Sequence, residues 1–352
     1  MSPPFRAEHV GSLLRPEALR TAHRALLARR IDVAEFRTVQ DAAIADAVRM
    51  QESLGFRAVT DGEFRRVSYW AHFLDAIEGI KLGEARFAFR NEAGERIPFI
   101  GPHVEGPLKR RRGISTEEFG FLRGIAHAVP KITMPSPATF HFWHGGNRDW
   151  FPEMVRVYQD EISALSRMGC RYIQLDDVPF AMLCDPAIRD GVKKAKKLVR
   201  DYVALTNACI AARPADMTMA LHICRGNFKG AYLSEGGYDA VAEQVFGALA
   251  VDGYFLEYDT DRAGDFAPLS HMPPDKTVVL GLISSKTAAL ENRAAVRERI
   301  DEAAKIVPLD RLGLSPQCGF ASAVTGNPVT EVDQAAKLRL VMELAQEIWG
   351  DA

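Results

Sequence analysis

Strand-like and helix-like stretches alternate along nearly the whole chain, and this most constrains its fold. A chain that leaves one strand and returns parallel to it needs a crossover helix, so strict alternation implies a parallel sheet. Short runs of apolar and β-compatible residues predict strands over 7–12, 56–63, 131–136, 172–177, 217–224, 253–257, 277–283 and 312–318. Helical patterns over 16–27, 33–54, 116–127, 154–168, 192–212, 238–249, 293–306 and 332–349 separate or flank them. Eight such units predict an α/β protein folded as a closed (β/α)8 TIM barrel with insertions, with an open doubly wound sheet as the alternative. The insertion is expected at about 65–110, where the alternation gives way to an aromatic patch and an extended hairpin near 80–104. No low-complexity run or linker divides the chain, so residues 1–352 read as a single domain.

Charge narrows the partners. With 44 basic and 46 acidic side chains the net charge is −2, which offers no electrostatic case for nucleic acid or an anionic membrane surface. The N-terminus has no basic-then-apolar leader, and no apolar run approaches membrane-spanning length. Five cysteines, an odd number and widely spread, argue for a reducing compartment and thiol or metal chemistry over a disulfide framework. The expected location is cytoplasmic.

In a barrel of this kind, chemistry sits at the carboxyl ends of the strands. Here those ends hold Ser12, Glu63, Asp176, Asp177, His222, Cys224, Glu257 and Cys318. His222 and Cys224 are two apart on one strand and so point the same way. An imidazole and a thiolate converging on one point are half of a tetrahedral zinc shell. Glu257 lies 35 residues beyond His222, and Cys318 lies 35 beyond Ile283, about one β/α unit in each case. Separate strand ends can therefore converge on one metal, and the expected ligands are His222, Cys224, Glu257 and Cys318.

Each has a plainer reading. Cys318 could be a buried structural thiol, Glu257 a solvated loop acid, and Asp176 or Asp177 a helix cap; Glu63 could pair with Arg65 or Arg66. His9 could face the mouth or pack in the core, and His141 and His144 could touch a substrate. Cys170, Cys184 and Cys209 read as structural. The glycine-rich nucleotide fingerprints are missing from the sequence. Two thiolates make zinc a poor activator of water but a good host for another sulfur, whose pKa it lowers. Such a site favours thiol alkylation over hydrolysis.

The motifs His9-Val-Gly-Ser12, Asp61-Gly-Glu-Phe64 and Ile173-Gln-Leu-Asp-Asp-Val-Pro179 continue through His222-Ile-Cys224, Leu256-Glu-Tyr-Asp259 and Pro316-Gln-Cys-Gly319. In this order they resemble the catalytic C-terminal barrel of cobalamin-independent methionine synthase. The resemblance implies that zinc binds homocysteine sulfur for methylation to methionine. It implies that Gly11 and Ser12, with the adjoining backbone, hold the amino-acid carboxylate, that Glu63 and Asp176 hold its ammonium, and that Trp143 lies near the methyl donor. The expected partners are thus a small-molecule thiol and a methyl donor, either a methyl-folate or a methyl-corrinoid protein.

Three departures bear on the donor. The family's N-terminal half, which helps grip folate, has no counterpart in these residues. The family's Ile-His-Ser segment, source of a proton-shuttling histidine, corresponds to Leu282-Ile283-Ser284, and Ile283 cannot transfer a proton. The family's Asp-Glu-Pro reads Asp176-Asp177 here. Two other readings stay open. One is a zinc alkyltransferase joining a coenzyme M-like sulfonate thiol to an epoxide, with Arg15, Arg65, Arg66 and Arg225 as candidate clamps. The other is a non-catalytic zinc- or thiol-binding barrel.

Overall fold

The computed structural model describes residues 3–91 and 93–350. Its centre is a six-stranded parallel sheet: β1 (Ile132–Pro135), β2 (Tyr172–Asp177), β3 (Thr218–Ile223), β4 (Gly253–Glu257), β5 (Thr277–Ile283) and β6 (Leu312–Pro316), paired in sequence order. Every residue of β2 and β4 is buried, as expected of parallel strands covered on both sides. The remaining two barrel positions are shorter than the sequence predicts. Ala58–Val59 pairs in parallel with Val129–Pro130 just ahead of β1. The expected strand over 7–12 reduces to one parallel bridge, Ala7 with Leu314 of β6.

One side-chain and one backbone bond, not a ladder, close the seam between these two positions. The Thr60 hydroxyl donates to the Gly11 carbonyl at 2.6 Å, and the Leu13 N–H donates to the Gly62 carbonyl at 3.0 Å. Gly11 has φ +142°, and a Cβ there would lie 2.6 Å from the Thr133 methyl. Only glycine lets the chain pass so close. The architecture is a (β/α)8 TIM barrel with insertions.

The covering helices follow from their sequence signals. Val33–Leu54 starts at an Asp32/Glu35 capping box and ends at Gly55 in the left-handed region. Glu331–Trp349 repeats the device with Thr330/Asp333 and Gly350. The helix expected over 238–249 is broken into a short turn, Tyr238–Ala240, and Ala242–Val245. Tyr238 is held by its hydroxyl, which accepts from the Glu257 N–H at 3.0 Å, and this fixes the chain where a regular helix would have run on. The insertion is antiparallel: Ile77–Glu84 pairs with Ile100–Arg110, with a smaller hairpin of Phe89–Arg90 and Arg96–Ile97 between. No helix among the described residues is long and apolar enough to cross a membrane.

Alternation along the strands fills the barrel interior in layers. One interior cluster is apolar, formed by Phe5, Val10, Ala58, Tyr172, Ala220, Phe255 and Val279. Beside it lies a fully buried ion pair, Lys131 Nζ to Glu8 Oε2 at 3.0 Å. Two residues further along the strands, the interior positions reach the carboxyl ends.

Candidate metal centre

Register brings the four expected ligands together. His222 on β3 stands beside Phe255 on β4, so Glu257, two residues on, projects from the same face next to Cys224. Cys318 follows directly after β6, whose register against β5 shifts between Gly281 and Ile283. One ligand atom from each of His222, Cys224, Glu257 and Cys318 lies within 4.8 Å of the others, and all four residues are buried. The two sulfurs are 3.4 Å apart.

The donor set fits a metal cation. His222 Nδ1 faces the Phe255 carbonyl at 3.3 Å, which assigns its proton to that nitrogen and leaves Nε2 with a bare lone pair. Nε2 is buried and has no hydrogen-bond partner. Burial lowers the His222 pKa to about 3, so the ring is neutral, as a ligand must be. Cys224 is pushed well above the ordinary thiol range, first by its contact with the Cys318 thiol and then by burial. Burial raises Glu257 to about 7. Packing three acidic groups this closely is unfavourable without a cation between them. The Arg225 N–H donates to Glu257 Oε1 at 2.8 Å and orients the carboxylate.

Beside this cluster is a second acidic pair. Glu63 has φ +60°, a conformation rare for a side-chain-bearing residue, which the Asp61 carboxylate supports by accepting from its N–H at 2.8 Å. Glu63 Oε1 accepts from Thr133 Oγ1 at 2.7 Å, while Oε2 is buried without a partner. Its nearest cation is Arg66 at 3.6 Å, which is itself engaged by Glu118 at 2.6 Å; Arg65 turns to Asp41 instead. Asp176 accepts from Gln174 at 2.7 Å, and burial and then Glu63 push its pKa well above the carboxylate range. Asp177 is the capping residue of the two. It accepts from the Ser136 hydroxyl and from the Phe180 N–H in the next helix.

His222, Cys224 and Cys318 line one cavity of about 430 Å³ together with Glu63 and Asp176, while Glu257 lies behind that lining; Ser12, Trp143 and an aromatic group from the insertion and neighbouring loops complete it. Ser12 lies tight against Gly319, where a Cβ would meet its Oγ at 1.9 Å. Gly11 lies beneath Glu63 and does not line the cavity. Trp143 is buried and stacks at a tilt on Phe99, 4.8 Å between centroids.

Other candidates fall outside. His9 packs edge-on against Phe56; His141 bonds Tyr202; His144 stacks on His103. Cys170, Cys184 and Cys209 are buried away from the cluster, with pKa values raised by burial. Ile283 is buried at the carboxyl end of β5. Sequence reasoning missed Tyr69, Phe89, Phe99, Asn227 and Phe228, all of which line the cavity. The density of phenylalanines in the insertion was the available signal.

Residues 5–346 match the family described as Cobalamin-independent synthase, Catalytic domain. The Bacillus subtilis (strain 168) protein YxjH is 39% identical over 362 residues, covering 98% of this chain and 95% of its own length. The 5-methyltetrahydropteroyltriglutamate–homocysteine methyltransferase of Vibrio harveyi is 22% identical over 88% of this chain, a match to 39% of that longer protein. A structure from Listeria monocytogenes, provisionally described as a vitamin-B12 independent methionine synthase, is 34% identical with a TM-score of 0.78, covering 99% of both chains. A B12-independent methionine synthase from Shewanella sp. W3-18-1, in complex with selenomethionine, shares the fold at 20% identity and TM-score 0.75, covering 97% of both chains. The chain belongs to the cobalamin-independent synthase catalytic-domain family.

Proposed function

We propose that the protein is a zinc-dependent methyltransferase that activates a thiol, homocysteine in the first place, for methylation to methionine. The observation that carries this reading is the buried set of two thiols, an imidazole with a bare Nε2 and a carboxylate within 4.8 Å. His222, Cys224, Glu257 and Cys318 would hold the metal. Bound zinc lowers the pKa of a sulfur ligand, so that the thiol reacts as thiolate at neutral pH.

The chain's own residues do the rest. The Phe255 carbonyl and the Arg225 N–H fix His222 and Glu257 before any ligand arrives. The unpaired Glu63 Oε2 and Asp176, whose pKa burial and Glu63 push up, take up the ammonium of an amino-acid thiol, which relieves their mutual repulsion. Ser12 and the backbone beside Gly11 receive its carboxylate, and the aromatic wall excludes water from the sulfur. The Shewanella relative's bound selenomethionine is an amino acid of the product's shape. The fold acts as one domain, in the cytoplasm, on small molecules.

The sulfonate-thiol alternative finds less support. No lysine or arginine is among the described residues lining the cavity. Arg15 spends its guanidinium on the Ala321, Glu63 and Arg66 carbonyls, and Arg225 stacks on Tyr238 at 4.5 Å. The test is turnover by zinc-loaded protein with homocysteine, cysteine and coenzyme M against a panel of methyl donors. Methionine formed from homocysteine alone, and lost in Cys224→Ser, is the expected result. Preference for coenzyme M would overturn the choice of thiol, and no alkylated thiol from any donor would leave the non-catalytic barrel.

A further inference from the structure

The cavity's chemistry bears on the methyl donor, an inference that rests on the thiol-activating reading above. Phe89, Phe99, Phe228 and Trp143 form a continuous wall: Phe89 to Phe99 is 5.3 Å, Phe89 to Phe228 is 5.4 Å and Phe99 to Trp143 is 4.8 Å between centroids. Tyr69 and Trp70 add two more rings to the lining. Apart from the metal-ligand residues, the ionisable side chains of the lining are the carboxyls of Glu63 and Asp176 and the phenol of Tyr69, with no lysine or arginine among the described lining residues. Aromatic faces carry negative charge in their quadrupoles and attract cations, the more so when desolvated. A pocket walled by rings, with two carboxyls and no lysine or arginine among its described lining residues, discriminates against an anionic donor such as a polyglutamylated folate.

A second feature, which rests on the resemblance, points the same way. Methyl transfer from a neutral amine needs an acid, because the departing nitrogen would otherwise leave as an anion. The position expected to supply one is Ile283, buried and unable to carry a proton. A donor that is already cationic needs no acid.

We propose that the methyl donor is an onium compound, a methylsulfonium or a quaternary methylammonium, seated against the Phe89–Phe99–Trp143–Phe228 wall. The thiol's proton passes to solvent as the thiolate forms. The thiolate's lone pair then makes the new S–CH3 bond while the onium C–S or C–N bond breaks. Its electron pair departs with the sulfide or tertiary amine, which leaves neutral, so no proton moves in the methyl step.

The test has a binding arm and a transfer arm. Tryptophan fluorescence, reporting on Trp70 and Trp143, follows titration with trimethylsulfonium, tetramethylammonium and the uncharged tert-butanol. We expect both cations to bind at least about tenfold more tightly than the alcohol, and Phe99→Leu to weaken them about fivefold with metal content unchanged. In the transfer arm, trimethylsulfonium and homocysteine should give methionine and dimethyl sulfide in equal amounts. Equal binding of cation and alcohol overturns the proposal. So does methionine formed from 5-methyltetrahydrofolate or methylcobalamin but from neither onium, an outcome that leaves the thiol reading intact. Failure of homocysteine to perturb the metal centre, by contrast, removes the thiol reading beneath it.

Discussion

The floor and the mouth of the barrel both bury charge, and they treat it in opposite ways. At the floor, Lys131 donates to Glu8 at 3.0 Å, Tyr172 donates to the other Glu8 oxygen at 2.9 Å, and the Phe5 N–H joins it at 3.1 Å. Lys131 also faces the Phe255 ring at 5.0 Å. Every charge there has a partner from the chain itself. At the mouth, one or two strand residues higher, His222 Nε2 and Glu63 Oε2 are buried with none, and two thiols face each other at 3.4 Å. Buried polar groups without partners cost stability and are rare unless something else supplies the partner. The floor is therefore built for folding, and the mouth is built for what it binds.

The largest test of that contrast is at the floor. Lys131→Met strands the Glu8 carboxylate and should cost about 3–5 kcal/mol in urea unfolding, while the folded fraction keeps its metal. Adding Glu8→Gln should recover much of the loss. At the mouth the expectation reverses. Cys224→Ser or Cys318→Ser should strip the zinc and lower thiol methylation by more than about a hundredfold, with a smaller shift in the urea midpoint. Full stoichiometric metal in both variants would remove the site.

Glu63→Gln sharpens the division within the mouth. Metal content should stay unchanged while KM for the amino-acid thiol rises about tenfold, since one charge-assisted contact is lost. A pH slope completes the set. Burial raises Asp177 in the folded protein from the ordinary 3.8 to about 7, so across that interval the folded state binds more protons than the unfolded chain. Stability from this group falls as pH rises from about 4 to about 7. Thermal melts across that range should slope less steeply in Asp177→Asn, and an unchanged slope would assign the effect to other carboxyls.

The mouth was more legible in the sequence than the elements around it. Strand periodicity places His222 and Cys224 on one face whatever the tertiary detail, and the Pro316–Gly319 turn marks Cys318 as lying just past its strand. Glu257 follows from the length of one β/α unit. Asp177 proved to be the cap and Asp176 the cavity residue, a distinction that strand alternation already contained. The first strand was not legible as a bridge, because its shortness comes from the Thr60–Gly11 seam, a contact across 49 positions. The break after Tyr238 arises from its hydrogen bond to Glu257, also far along the chain. The aromatic wall joins the insertion to loops beyond β1 and β3, and local pattern carries no record of such distant partners.

Zinc-edge X-ray absorption on the purified protein, with and without homocysteine, addresses the central claim directly. The expected result is a shell of two sulfurs with nitrogen and oxygen that gains a third sulfur and loses the oxygen when homocysteine is added. Zinc whose shell is unchanged by homocysteine would contradict it.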